Sequence, residues 1–397
     1  MTTRYSTNLL AGVLAVAFAG NQETESPLPA NDGSGTAKTT VRIIPAPDKA
    51  LVPDVMVDAQ GVLHMVYGLG DQAWYTRSSD SGGTFSPAVQ INSAGKVQLT
   101  MGERGPKLAV GSDGSIHVVW VDRWSPGAKC HVRYSRSTDG GKRFEPAKQV
   151  SPMPGVDGAT MTADGEGHAL VFWHVFDPPQ KEVPQGHWVY LSRSTDNGVS
   201  FGSAERVEIG NLKDLACSMC MMRARIGDDG NAYLAFRSAE NNIRDFYVLR
   251  GRKTENHFTA LRVNQDNWEL KTCPMCGPEL TFDHLGRACC AFMSRHRVYW
   301  SVLAPGESTF KLHVATPANE QDEIYPAAVA NRNGEVLFLW QVGPMSVTGR
   351  ATVKWAIYRQ DGTFTGQRGT VGVSDSGTKA TAFAGVDDRF YIITTAK

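Results

Sequence analysis

Two short segments gather the softest atoms in the chain. Cys217-Ser-Met-Cys220 and Cys273-Pro-Met-Cys276 set four cysteines in paired C-x-x-C spacing, and Met219, Met221, Met222 and Met275 stand within or beside them. Four thiolates suit Zn(II) or Cu(I), and nearby thioethers favour copper. The same spacing also serves structural disulfides in an oxidising compartment, or a redox-active dithiol. Neither motif is followed by histidine, so covalent c-type haem attachment is excluded. The chain has 7 cysteines, an odd number, so at least one thiol stays unpaired within it. Cys130 is the expected lone thiol, and Cys290, inside an apolar run, is expected to pack.

A second set is charged and aromatic. Arg123, Trp124, Arg237, Arg244, Asp245 and Glu279, extended by Arg223 and Trp188, combine forked guanidinium donors with carboxylates and indoles. Such groups recognise an anionic or sugar ligand; the same side chains also satisfy one another as salt bridges on solvated loops. Composition narrows the partners. The 40 Lys+Arg balance 40 Asp+Glu, which leaves no broad basic face for nucleic acid or an anionic membrane. An apolar fraction of 41% fills a large core, yet no stretch reaches the ~20 apolar residues of a spanning helix.

These side chains are positioned by a repeat. A Gly is followed six residues later by an aromatic at Gly61/Tyr67, Gly114/Trp120, Gly167/Trp173, Gly230/Phe236, Gly286/Phe292 and Gly334/Trp340. The interval is roughly 50 residues, the scale of a propeller blade. An apolar, strand-like segment fills each gap, so every unit opens with strand, turn, strand. A degraded seventh unit, ATAFAGVDDRFYIITT, ends the chain, and VRII at residues 41–44 stands where an outermost strand belongs.

Register then relates the cysteines. Ten positions before the repeat Gly stand Leu51, Arg104, Asp157, Cys220, Cys276 and Ile324, and thirteen before it, in units four and five, stand Cys217 and Cys273. The two C-x-x-C segments therefore occupy one position in adjacent blades, overhanging the central tunnel. Seven before the Gly, Asp54, Lys107, Arg223 and Glu279 alternate with apolar residues, which points these charges at the tunnel. The entry loop of unit four and the preceding unit's VFDPPQKEVPQGHW (175–188) are insertions that fall on the same upper face, as at a binding face of a repeat array.

Three units carry Ser-x-Asp-x-Gly-x-x-Phe: SSDSGGTF from Ser78, STDGGKRF from Ser137 and STDNGVSF from Ser194. Asp accepts turn N–H groups, Gly takes positive φ, and Phe is buried beneath the hairpin. These segments resemble the Asp-box, or BNR, repeat of sialidase-like β-propellers. The resemblance implies an all-β propeller with its active face opposite the boxes. It implies a glycan-binding protein and an exo-glycosidase with Arg104, Arg223, Arg244 and Tyr325 as catalytic groups. Arg104-Gly105-Pro106 resembles the family's Arg-x-Pro element, and Tyr325 its nucleophile position. The acidic residue expected after Arg123 is missing from WSPGAKCHV, and spacing assigns no glutamate to Tyr325, Glu279 and Glu323 being candidates.

Arg4, the apolar run 9–19 and Ala17-Phe18-Ala19 have the layout of a secretory signal. The expectation is a signal peptide at 1–19, a flexible linker at 20–38, and one propeller domain at 39–397 in an exported, periplasmic or secreted protein. Seven blades are expected, six also being compatible, with the ring closed by N- and C-terminal strands. Its partner is a glycan or small anionic ligand, or a protein on the upper face. The other reading is a non-catalytic propeller whose Cys217, Cys220, Cys273 and Cys276 bind copper or zinc, or form inter-blade disulfides supporting a docking surface.

Overall fold

The computed structural model describes residues 40–47, 49–99, 102–124, 130–175, 186–212, 215–217, 219–344, 350–374 and 379–395. The signal peptide and linker expected at 1–38 lie outside these residues. Seven sheets form seven blades, as the repeat count implies. The innermost strands are Leu51–Val57, Lys107–Val110, Val156–Ala163, Arg223–Ile226, Glu279–Phe282, Glu323–Ala330 and Thr381–Ala384, numbered here as blades 1 to 7. Blades 1, 2, 5 and 6 are four-stranded antiparallel meanders. Blade 7 is the closure: Val41–Pro45 lies parallel to Phe390–Thr394, which pairs with Thr381–Ala384. A ring so closed ties both ends of the domain into one sheet, leaving only short protected edges.

The second strand of each blade is the most apolar because neighbouring blades cover both its faces. Every residue of Ala169–Val175 and of Ala288–Ser294 is buried. A sheet buried on both sides reads as a continuous apolar run, which is why these segments were visible in the sequence. The Gly of each repeat turns the first strand into the second on the lower face. Its φ is 81° at Gly61 and Gly114 and 74° at Gly230, a region only glycine enters without strain.

The three Ser-x-Asp-x-Gly-x-x-Phe turns, also on the lower face, share one hydrogen-bond pattern. Ser194 Oγ donates to Asp196 Oδ1 (2.7 Å) and accepts from Gly198 N (2.8 Å), while Asp196 Oδ1 accepts from Ser200 N (2.8 Å). The motif also staples blades together. Phe144 packs edge-on against Tyr75 of the preceding blade (5.3 Å) and Phe201 against Tyr134 (4.7 Å). Gly198 must be glycine twice over: φ is 79°, and a Cβ there would overlap Tyr134 Oη. Ser194→Ala, which strands two turn N–H groups, should lower stability by about 1–2 kcal/mol in urea denaturation.

Candidate metal and ligand site at the tunnel mouth

Three inner strands, those of blades 1, 3 and 6, begin on the upper face with an irregularity nine residues before the repeat Gly. The pairing register shifts between Leu51 and Asp54, Asp157 and Thr160, and Ile324 and Ala327. Val52 (φ 49°), Gly158 (φ 63°) and Tyr325 (φ 53°) occupy that position. A bulge bends its strand and re-aims the side chains before it. Tyr325, an aromatic held in the left-handed region, is a strained residue at a tunnel mouth, a placement that functional sites favour.

The row just before this position divides among separate partners. Arg104 of blade 2 and Asp157 of blade 3 form a buried bidentate pair, with Nε to Oδ1 3.0 Å and to Oδ2 2.9 Å. Cys276 of blade 5 turns toward blade 6, where Tyr325 N donates to its sulfur at 3.4 Å. Cys220 of blade 4 turns toward the other C-x-x-C segment.

Sheet edges fix the thiols. Leu215–Cys217 pairs with blade 3 through Gly186↔Cys217 and His187↔Ala216, and Ala216 also bridges to Ser238 of blade 4. Cys217 is thus pinned between two blades. The second segment is laid over the first at Gly277, where a Cβ would overlap the Met221 carbonyl oxygen, and Gly277 N donates to Glu103 Oε2 (2.7 Å). The sulfurs of Cys217, Cys220 and Cys273 consequently all lie within 4.8 Å of one another. Cys217 Sγ donates to Cys273 Sγ at 3.1 Å, and Cys220 Sγ lies 3.5 Å from it. All three are buried with Ala239, and Met219 and Met275 pack against them. Of the four cysteines expected to act together, three meet and Cys276 stands apart. Cys289 and Cys290 are buried in two different core clusters, and Cys130 is buried in a third.

Electrostatics makes Cys273 the centre of the cluster. The S–H groups of Cys217 and Cys220 hydrogen-bond to its sulfur and pull its pKa down. Burial, chiefly, pushes the Cys217 and Cys220 thiols up. The Arg237 guanidinium, fully buried, donates to the carbonyls of Arg244 (2.8 Å), Cys276 (3.0 Å) and Met293 (2.8 Å) and lies 4.0 Å over the Phe246 ring. It therefore clamps the second C-x-x-C segment, and its charge also favours thiolate at Cys220 and Cys276.

The expected ligand residues have separate employments. Arg244 is fully buried, its Nε donating to Leu270 O (2.8 Å), and Asp245 is buried against Arg262, Asn264 and Asn267. Arg123 pairs with Asp71 (2.5 Å), and Trp124 is 65% exposed. Arg206 stacks 3.3 Å over Trp188. Arg223 crosses the tunnel from blade 4 to Asp54 of blade 1 (2.6 Å) and also pairs with Glu279 of blade 5 (2.5 Å). Two residues that spacing did not single out matter here. Glu103, buried beside Arg104, faces Cys276 and Tyr325; burial first, then Glu103 and Cys276, push the tyrosine hydroxyl pKa up. Lys379 joins Glu279 (3.2 Å) and Glu103 (4.0 Å) above the tunnel charges.

By fold, the chain is a seven-bladed β-propeller, and solved propellers are its structural neighbours. It is similar to the α-L-arabinofuranosidase of Fusarium graminearum solved with an iminosugar inhibitor (TM-score 0.54, 11% identity, covering 82% of this chain and 98% of that one). It is also similar to the α-L-arabinanase of Penicillium chrysogenum complexed with arabinobiose (TM-score 0.53, 14% identity, 83% and 100% covered). A protein of unknown function from Dyadobacter fermentans matches at TM-score 0.52 and 16% identity, with 76% and 93% covered. No protein-family model matches the sequence, and no curated protein does. At such identities the likeness is one of fold, and function rests on the side chains.

Proposed function

We propose that this propeller holds one soft metal ion, Cu(I) or Zn(II), on the thiolates of Cys217, Cys220 and Cys273. The observation that carries the reading is the convergence of three buried sulfurs from two blades within 4.8 Å. A soft ion draws thiolate ligands together and displaces their protons, so three desolvated thiols, one already favouring its anion, are suited to it. Met219 and Met275 can add thioether sulfur, and Arg237 offsets thiolate charge. Arg237 and the Gly277 contact act here as positioning groups. Export, read from the N-terminal segment, belongs to the same proposal and is tested by sequencing the mature N-terminus.

Protein purified under reducing, anaerobic conditions and loaded with copper or zinc should retain about one equivalent of metal after desalting. Its denatured apo form should titrate 7 thiols. No retained metal together with fewer thiols would return the cysteines to disulfide duty.

A second reading is glycan-directed, and it is favoured by the grouping of Glu103, Arg104, Asp157 and Tyr325 at the same mouth. A tyrosine with a glutamate close by can act as an activated nucleophile, with an arginine to fix an anionic sugar. Fluorogenic sialoside and arabinofuranoside are the substrates to try. Turnover that falls more than about a hundredfold in Tyr325→Phe would support this reading. No turnover, or turnover unchanged by the substitution, removes it.

A further inference from the structure

Beneath the thiol site, the tunnel itself carries an imbalance of buried charge. Lys107, Arg223, Arg225 and Lys379 enter it from blades 2, 4 and 7, against Asp54 and Glu279 from blades 1 and 5 and Glu103 at the top. Arg223 takes both carboxylates, at 2.6 Å to Asp54 and 2.5 Å to Glu279. Arg225 is left with little. Its Nη1 donates to Ala224 O (3.0 Å), and its nearest carboxylate oxygen, 3.8 Å away, is the one Arg223 already holds. Lys107 is buried, and its ammonium reaches the Glu103 carbonyl at 3.4 Å rather than a carboxylate. Burial pulls the lysine down to about 8 although Asp54 opposes it, and burial with Arg223 pulls Arg225 down to about 10.

Below these groups the tunnel opens into a cavity of about 350 Å³ lined by Arg223, Arg225, Glu279 and Thr281, with walls such as Met56 and Phe383. That volume lies at the small end of ligand pockets. The Arg225 side chain is 17% exposed, and that surface faces this cavity. On the lower rim, Lys253 neutralises Asp164 (2.6 Å) and Glu166 (3.0 Å).

We propose that this cavity is a second binding site, for the carboxylate or phosphate group of a small molecule, with Arg225 as its main ligand and the lower face as its route in. It is independent of the thiol cluster. A buried cation without a full partner is costly, and a guest oxyanion supplying two acceptors to the guanidinium fork removes the cost. Walls of mixed apolar and polar character leave room for a body of monosaccharide size behind the charged group. The site lies on the face opposite the one expected to bind ligand.

The test is calorimetric titration of the full chain with inorganic phosphate, sulfate and glucuronate at constant ionic strength. One saturable site is expected, at least about tenfold weaker in Arg225→Met and unchanged in Cys273→Ser. Tightest binding of glucuronate assigns a carboxylate guest, and tightest binding of phosphate a phosphoryl one. Absence of saturable binding by all three, or equal affinity in Arg225→Met, overturns the proposal. A melting experiment guards against a variant that fails to fold: the wild-type midpoint should rise with the binding anion relative to chloride. Equal midpoints in both salts would count against the site.

Discussion

Cys273→Ser should cost the protein its metal: affinity for Cu(I) or Zn(II) falls by more than about a hundredfold, beyond the loss expected from removing a merely supporting partner. Cys273 is the sulfur on which the other two converge, at 3.1 Å and 3.5 Å. Without it, Cys217 and Cys220 remain as a single C-x-x-C pair on one segment, and the clamp between blades is gone. A serine oxygen is a hard, protonated ligand at neutral pH and does not replace a thiolate for a soft ion. Cys276→Ser is the matched control. Its sulfur sits against Tyr325 N, away from the other three, so stoichiometry and affinity should stay close to wild type. Competition with a chelator of known affinity measures both. Equal losses in the two variants would mean that all four cysteines act together, and an unaffected Cys273→Ser protein would remove the site.

Much of this arrangement was legible from spacing. The repeated Gly and aromatic marked six blades because each signals a hairpin that every blade must make, the degraded last unit pointed to a seventh, and closure by residues 41–44 followed from that unit being too short to complete a sheet. The rows of equivalent positions went further. They aligned Arg104 with Asp157, which do pair, and the two C-x-x-C segments, which do meet. They also aimed Asp54, Lys107, Arg223 and Glu279 at the tunnel, where the first three are buried and the fourth pairs with Arg223.

What spacing could not give was direction. Equivalence in a row says that Cys220 and Cys276 hold the same strand position, but not that one faces the cysteines and the other Tyr325. A φ of 53° at a tyrosine leaves no trace in the sequence. Arg237 and Arg244 looked like ligand groups because their segment is polar and joins the second and third strands of its blade. Both are instead buried: carbonyls of Cys276 and Met293 take Arg237 donors, and that of Leu270 takes the Arg244 Nε, while both Nη groups of Arg244 are buried without a hydrogen-bond partner among the described residues. Glu103 had only its adjacency to Arg104 to advertise it. Its contact with Gly277 spans blades 2 and 5, a separation that no local pattern encodes.

Arg223→Met should destabilise the fold by about 3–5 kcal/mol at neutral pH, because it strips the shared partner from two buried carboxylates. The arginine is the cross-brace of the tunnel, tying blade 4 to blades 1 and 5. Methionine fills much of its volume, so the loss reports charge rather than a cavity. Acid titration separates these causes. In the wild type, burial pushes the Asp54 carboxyl up, but Arg223 and then Lys107 outweigh it and leave its pKa at about 2, below the ordinary 3.8. A folded value below the unfolded one means that the unfolded chain takes up the proton first. Asp54 therefore adds stability, about 2 kcal/mol, in full above the ordinary value, and this is lost as pH falls from 3.8 toward 2. Glu279 is lowered too, burial being opposed first by Arg223 and then by Lys379, so its contribution has the same sign. In Arg223→Met, burial at Asp54 is left facing a weaker set of cations, and its folded pKa rises. Folding then takes up protons where it previously released them, and the loss of stability on acidification flattens or reverses. Urea unfolding at neutral pH and at steps down to about pH 3 measures both effects. A variant that is weaker at neutral pH but keeps the wild-type acid slope would place the cost in packing instead of in the ion pairs.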